Sequence, residues 1–541
     1  MKKMLIAGGL LLSVAAAAQD EDVLRAALYL TGASAAEEAD AAMVELLESR
    51  RGRPVRVNDP RLRPSEVLSD YQVAVIRDYR SLSGDILSWE ELALLDGFGA
   101  EAVAALRPFL SLATSRAPDT LCVSGQALVR ATLTGVGGKA RVQGSWWRAG
   151  GALRGRDGTF YGEVSGRRTR WILGDYKLRF GQGAALWTGF SMDNLSTVDA
   201  FIKRGQGCSP VWSYSRTSAL RGLVGEADLG PVRATAFGAL GGTYGVRAEY
   251  LGRSAQAGVT VASQPNAPLI LSADGRWEYK GVLLVAEAAW KNRAFSGVVA
   301  TRVPLGDQLR LALQGRVIPC AFSGRKYGEY ALAAGVDAQS GHWRGLDGRT
   351  GFGSSVPRWT ASLTADAALL PIPLADPGRL QVRVYARAAW QFSGRWALEA
   401  RVTERYRNYE RPRTALQANL HYGLGSWQGT LRWEGVLCQR LGTLLYTEAG
   451  YKAPVWTAWL RVSGFWIDSW NDRIYCYERD APGTFSVPAY YGRGAAVSAV
   501  GSWKHRFGRV CTLAVYLRAA WMVRQGRQPA PTLNLQLQCT R

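Results

Sequence analysis

The sequence predicts an α+β multidomain chain: a small all-α N-terminal domain followed by a large antiparallel transmembrane β-barrel. Three observations predict it. Apolar residues recur at helical spacing before residue 115 and with a period of two after it. The 541 residues hold 20 Trp, 22 Tyr and 61 Gly. Yet no segment after the N-terminus has the roughly 18 continuous apolar residues of a spanning helix. Finally, the alternating segments run to ten residues and more, with one face charged and the other almost uncharged, as a tilted membrane strand around a wet lumen requires.

Residues 1–18 read as an export signal. Lys2 and Lys3 give a positive start, Met4 to Ala18 is apolar, and Ala16-Ala17-Ala18 before Gln19 offers a small-residue cleavage site. Residues 19–115 read as helical, with apolar spacing and acidic outer positions in Val23 to Tyr29 and Ala35 to Ser49. The stretch "LALLDGFGAEAVAALRPFL" (Leu92 to Leu110) reads as two helices joined through Asp96-Gly97-Phe98-Gly99, the pattern of a helix-hairpin-helix unit, and it stops at Arg107-Pro108. "SRAPDT" (Ser115 to Thr120) is a polar, Pro-containing break.

Residues 116–541 read as the barrel. In "RLQVRVYARAAWQF" (Arg379 to Phe392), Leu380, Val382, Val384 and Trp390 share one face, and Arg379, Gln381, Arg383 and Arg387 share the other. "RWALEARVTERYR" (Arg395 to Arg407) and "QLRLALQGRV" (Gln308 to Val317) alternate in the same way, and Trp390 and Trp396 suggest an aromatic girdle. Roughly 20 residues per strand and connection gives on the order of 20 strands.

The charge is divided unevenly. The chain carries a formal +22, but its first 115 residues hold 12 basic and 17 acidic side chains, so the barrel carries +27. A basic lumen attracts anions. Arginines paired with lumen carboxylates, their stems packed, are the alternative.

The hairpin has its own chemistry. Gly97 and Gly99 permit a tight turn, and the amides of Gly97, Phe98, Gly99 and Ala100 open a helix, where backbone N–H groups hold a phosphate without reading sequence. Residues 84–112, however, carry Asp85, Glu90, Glu91, Asp96 and Glu101 against Arg107. A compact helical module for protein contact or barrel docking therefore stands beside the phosphate clamp. Further on, "GDYKLRFGQG" breaks at Gly181-Gln182-Gly183, and the next thirty residues do not alternate. They read as a long loop made basic by Lys203, Arg204 and Arg216, either folded into the lumen as a constriction or exposed outside.

Other chemistry finds no support in the sequence. The seven Cys (122, 208, 320, 438, 476, 511 and 539) form no C-x-x-C pair, so neither zinc nor a redox motif is indicated. His342, His421 and His505 are far apart and outside any H-E-x-x-H, and there is no G-x-S-x-G elbow or Walker loop. No catalytic residue, metal or small-molecule cofactor is expected.

The segment "VNDPRLRPSEVLSDYQVAVIRDYRSLSGDILSWEELALLDGFGAEAVAALRPFL" resembles the tandem helix-hairpin-helix domain of competence protein ComEA, with Asn58, Tyr79-Arg80 and Leu92 to Gly99 at the matching positions and Asp96 in place of the usual Pro. Over nearly the whole chain, "LGDYKLRFGQGAALWTGFSM" (Leu173 to Met192) and "IKRGQGCSPVWSYSRTSALRG" (Ile202 to Gly222) resemble the helix-hairpin-helix domain-containing outer-membrane proteins of the Bacteroidetes type. The resemblance implies a signal peptide, a periplasmic helical domain and an outer-membrane barrel.

The leading expectation is an outer-membrane protein that binds or translocates DNA or another polyanion, with the hairpin touching DNA through backbone phosphates. The alternatives are an envelope assembly protein whose helical domain binds a protein partner, and an anion-selective porin with a helical plug. Outer-membrane lipid is a partner in each.

Overall fold

The computed structural model describes residues 19–33, 35–50, 54–60, 62–114, 123–188, 195–217, 219–252, 254–265, 267–306, 308–323, 328–340, 359–370, 379–393, 395–508 and 511–540. The export signal, the break 115–120, Cys122, His342, and Gly189 to Met192 of the quoted motif lie outside the described residues.

The N-terminal part consists of α1 (Gln19–Thr31), α2 (Ala41–Arg50), α3 (Asp70–Ser83), α4 (Trp89–Leu94) and α5 (Ala100–Leu106). Ser69 and Ser88 start α3 and α4 with reciprocal capping boxes to Gln72 and Glu91, which satisfy amides that the first turns leave without partners. One apolar face of each helix meets a shared core that includes Leu47, Leu68, Ile76, Leu92, Leu106 and Phe109. Asn58 is buried and exchanges bonds with Ile86, donating to its carbonyl at 2.8 Å and accepting its amide at 2.9 Å. Tyr79 donates to Glu91, and Arg80 donates to the Asp59 carbonyl at 3.0 Å. The residues that carry the sequence resemblance thus fasten α3 to the turns on either side of it.

The barrel closes with 24 strands among the described residues, each antiparallel to its neighbours, and Ala530–Thr540 pairs with Ser124–Thr132 to shut the ring. The expected count of about 20 was too low because early strands are short and tightly joined: Ser124–Thr132, Gly135–Gln143, Trp147–Arg154 and Asp157–Ser165 follow one another with few residues between them. One further short strand, Gly207–Pro210, lies on the second half of Thr169–Arg179, whose first half pairs with Leu220–Leu229.

Side-chain alternation sets the two faces. Leu398, Val402, Leu416, Leu431, Leu460 and Val462 are exposed on the outside, whereas Gln417, Arg432 and Arg461 are buried within. Antiparallel connections alternate between two ends. The terminal end holds Ser124 and Thr540, and a band of aromatic pairs lies there: Trp359 opposite Trp390, Trp396 opposite Tyr422, Trp427 opposite Tyr451, and Trp456 opposite Trp503. An apolar outer belt bordered by aromatic rings is the surface of an outer-membrane barrel, and that membrane is where the chain resides. No described helix is long and apolar enough to cross a membrane.

The other end, the loop end, bears the two long connections, 180–219 and 468–491, and both turn inward. Leu195, Val198 and Phe201 pack on Leu283, Val285 and Ala312 of the wall, and Ile474 and Tyr490 pack on Leu444 and Phe465. Phe485 reaches the core of the helical domain.

Candidate functional site

The helical domain sits in the lumen. Near the terminal end Arg63 meets Asp228 at 3.4 Å, and Glu66 lies 3.8 Å from Arg148. Burial works against the Glu66 charge, but Arg50 and Arg148 outweigh it and hold the carboxyl down at about 2. Deeper in, the turn between α1 and α2 contains a single 3-10 turn, Ala36–Glu38, followed by Ala39 and Asp40. It presents three carboxylates to the wall. Glu37 accepts from Arg432 at 2.5 Å and from the Tyr477 amide at 3.2 Å. Glu38 accepts from Ser196 at 2.9 Å and from Arg401 at 3.4 Å, and Asp40 accepts from Arg179 at 3.2 Å. Burial raises the Glu37 carboxyl, but Arg432 and then Arg401 overcome it and the group ends below its ordinary range. The lumen arginines are therefore held by an acidic tip supplied from another domain.

Loop 180–219 completes the closure. Glu287 of the wall accepts the amides of Gln182, Ala184 and Ala185, which fixes the break after Phe180. Thr197 donates to the Gly32 carbonyl at 2.6 Å, and Gly32, at φ +68°, lies so close that a Cβ there would meet the Ala200 amide nitrogen at 2.6 Å. Asp199 pairs with Arg302 and, at 3.1 Å, with Arg310. Of the three basic residues singled out in this loop, Lys203 lies over Trp187 at 5.5 Å and Arg204 over Tyr29 of α1 at 4.4 Å. Arg216 is separate from them and exposed, beside Arg156 and Arg221 at the loop end. The loop's basic residues do not form one cluster.

The glycine hairpin is formed. Gly97 and Gly99 take φ of +77° and +99° between α4 and α5. Two of the four amides proposed for phosphate are used within the turn: Phe98 N–H donates to the Leu95 carbonyl at 3.1 Å and Gly99 N–H to the Ala93 carbonyl at 3.0 Å. The Gly97 carbonyl takes Gln72 at 2.8 Å, and the Tyr71 ring covers its Cα. Ala100 opens α5, a helix of seven residues. Glu101, next in line, is open to water yet surrounded by barrel and loop, as a side chain facing a wet lumen is. Burial, then Asp199, raises its carboxyl above the ordinary range, against Arg310, Arg302 and Arg204. The DNA expectation draws no support from this geometry.

Sequence reasoning missed Glu37, Glu38 and Asp40, together with Arg179, Arg401 and Arg432. The available signal was the opposite charge of the two domains. Among the described residues, no group of His, Cys, Asp and Glu is placed to hold a metal, and no disulfide joins the six described cysteines.

No protein-family model and no curated protein sequence matches the chain. Among solved structures it is similar to OccK3 (OpdO) of Pseudomonas aeruginosa, at 10% identity over 77% of this chain and 94% of that one, with a TM-score of 0.33. The outer membrane protein OpdK of the same organism gives 9% identity over 78% and 98%, with a TM-score of 0.32. A bacterial polysaccharide outer membrane secretin gives 9% over 57% and 90%, with a TM-score of 0.22. The barrel assignment rests on the strand pairing and the outer face, not on these likenesses.

Proposed function

We propose that the chain is an outer-membrane channel for anionic solutes, closed at rest by its own N-terminal domain. One observation carries this reading: the lumen arginines Arg179, Arg401 and Arg432 are occupied by the carboxylates of Asp40, Glu38 and Glu37. A wall that accepts carboxylates from a plug offers the same guanidinium forks to a carboxylate or phosphate solute. By the usual arrangement of such barrels, the end with both sheet termini faces the periplasm and the loop end faces outside. The plug then enters from the periplasm.

The test is conductance of the full chain in planar bilayers under a KCl gradient, beside Glu37→Gln/Glu38→Gln. The expected result is a nearly silent native protein and a variant with frequent anion-selective openings. A variant as silent as the native chain, or openings that prefer cations, would overturn the reading.

A second reading has its own support. Leu82, Leu87 and Leu94, on α3, the following turn and α4, are 78%, 71% and 64% exposed on the helical domain. Large exposed apolar side chains of this kind suit contact with an envelope protein. Recovery of a stoichiometric partner with the native chain, lost with Leu82→Ser/Leu87→Ser/Leu94→Ser, would favour an assembly role.

A further inference from the structure

A second group of arginines lies beyond the reach of the plug. A cavity of about 670 Å³ at the loop end is lined by Arg405, Arg407, Arg411, Arg413 and Arg473, with Glu410 as its acidic member. Strand register builds it. Arg383, Arg405 and Arg413 stand directly opposite one another on three adjacent strands. Opposed residues on one sheet face have Cβ atoms about 5 Å apart, and like charges there are destabilising. Arg405 shares the lumen face with Arg401, while Val402 and Tyr406 between and beyond them are exposed on the outside.

The lining's carboxylate, Glu410, is shared between two of its arginines, and the described carboxylates around it have other partners. Glu410 accepts at both carboxylate oxygens from one guanidinium nitrogen of Arg407, at 3.0 and 2.8 Å, and lies 3.8 Å from Arg405. Glu404 accepts from Thr414, and Glu434 accepts from Arg432 at 2.5 Å. Asp472 is buried and takes the amides of Cys438, Gln439 and Arg440 at 2.8 to 2.9 Å. Meanwhile, Arg413 is aimed by the carbonyls of Asn471 and Arg473, the latter at 2.7 Å. A cavity that gathers five guanidiniums around one carboxylate, with Arg413 fixed by backbone carbonyls, is suited to a ligand that brings further negative charge.

We infer that this cavity is a capture site for a small soluble oxyanion bearing several negative charges, a polycarboxylate or a phosphate ester. It extends the channel reading by naming the class of solute, and rests on that reading for its place in transport. The row faces the lumen, so a lipid headgroup in the surrounding membrane does not reach it. The site lies on the same wall as Arg401 and Arg432, ahead of the plug's acidic tip for a solute arriving from the loop end.

The experiment is calorimetric titration of the full chain in detergent with citrate, pyrophosphate and acetate at matched ionic strength. Citrate or pyrophosphate is expected to bind saturably and acetate not. Arg405→Gln/Arg413→Gln is expected to weaken binding about tenfold or more, the loss of one or two charge-assisted contacts. Arg440→Gln, 73% exposed outside the cavity, serves as the unchanged control. Arg411→Gln, at an exposed position, is the fallback should the double variant fail to assemble. Equal binding of acetate, no saturable binding, or full affinity in the folded variants would overturn the site. Saturable binding in a protein that never conducts anions would remove the channel reading alone, whereas anion conductance without binding would remove the site alone.

Discussion

Arg401 and Arg405 stand on the same strand, four residues apart on the same face, and their surroundings are opposite in kind. Arg401 meets Glu38 of the plug and donates to Gln417 at 2.8 Å. Arg405 approaches Glu410 at 3.8 Å, a carboxylate that Arg407 already holds at 2.8 Å. The wall is basic at both levels. Carboxylates from a separate domain neutralise Arg401 and Arg432, whereas the lining of the loop-end cavity includes no residue of that domain. The ion pairing of a lumen arginine is thus settled by what enters the barrel as much as by the strand that carries it. This is how one basic surface can be a lock at one depth and a binding site at another.

The comparison breaks most sharply if the plug is released. A protease site placed within 115–122 and cut after the barrel has assembled should let the helical domain leave. Conductance is then expected to rise on the order of tenfold or more, because a filled lumen becomes an open one lined by arginines. The loop-end site should keep its affinity, since none of its lining residues belongs to the plug. Unchanged conductance after complete cleavage and removal of the domain would mean that the inward loops alone seal the barrel.

Single arginine substitutions sharpen the comparison next. Arg432→Gln leaves Glu37 and Glu434 without their shared cation in a buried setting, where breaking such a pair costs about 3–5 kcal/mol. Protease protection of the helical domain should fall accordingly. Arg405→Gln removes one member of a like-charged row and should change stability by about 0–1 kcal/mol in either direction. Equal losses in thermal melts of the two variants would contradict the division into a lock and a binding site.

Much of the fold was legible because barrels repeat a simple rule. A period of two, with Arg on one face and Leu or Val on the other, gives the strands, their inward face and their membrane setting without tertiary information. Asn58 and Tyr79-Arg80 came only with the family resemblance and bond residues 12 to 28 positions away, whereas the hairpin glycines were as readable as the strands, since they solve a local problem of turn. The site was not. Glu37 and Glu38 look like ordinary acidic residues beside a helix, and only the closed barrel brings Glu37 to Arg432, 395 residues away. Net charge showed that the two domains attract. It could not show which carboxylate meets which guanidinium, because that depends on shear, plug orientation and two inward loops. The strand number failed for a related reason: turn length varies along the sheet and leaves only a weak mark in the periodicity.

Acid should loosen the lock before it affects the barrel. Glu37 and Glu66 both lie below their ordinary value of 4.5 in the docked state, Glu66 at about 2. Carboxylates lowered by docking contribute stability that is present above pH 4.5 and lost as the pH falls through the docked values. Plug release, followed by conductance or by protease sensitivity of α1, should therefore increase below about pH 4.5, while barrel mobility on cold gels stays unchanged. Weaker release at pH 3 than at pH 7 would contradict the acidic-tip lock.

Glu101 should act in the opposite sense and more weakly. Its carboxyl is raised by burial and by Asp199, whose own carboxyl is lowered by Arg310, Arg302 and Arg204 despite burial. A group raised in the docked state contributes fully below its ordinary value, and that contribution is lost as the pH rises through the docked one. At neutral pH Glu101 therefore opposes docking beside an aspartate that keeps the arginines for itself. Glu101→Gln should tighten the plug at pH 7, seen as fewer openings and slower proteolysis, and should have little effect at pH 3, where the native side chain is already protonated. A loosened plug at pH 7 would instead make Glu101 a working partner of Arg310 and Arg302, and the lock would extend from the acidic tip to the start of α5.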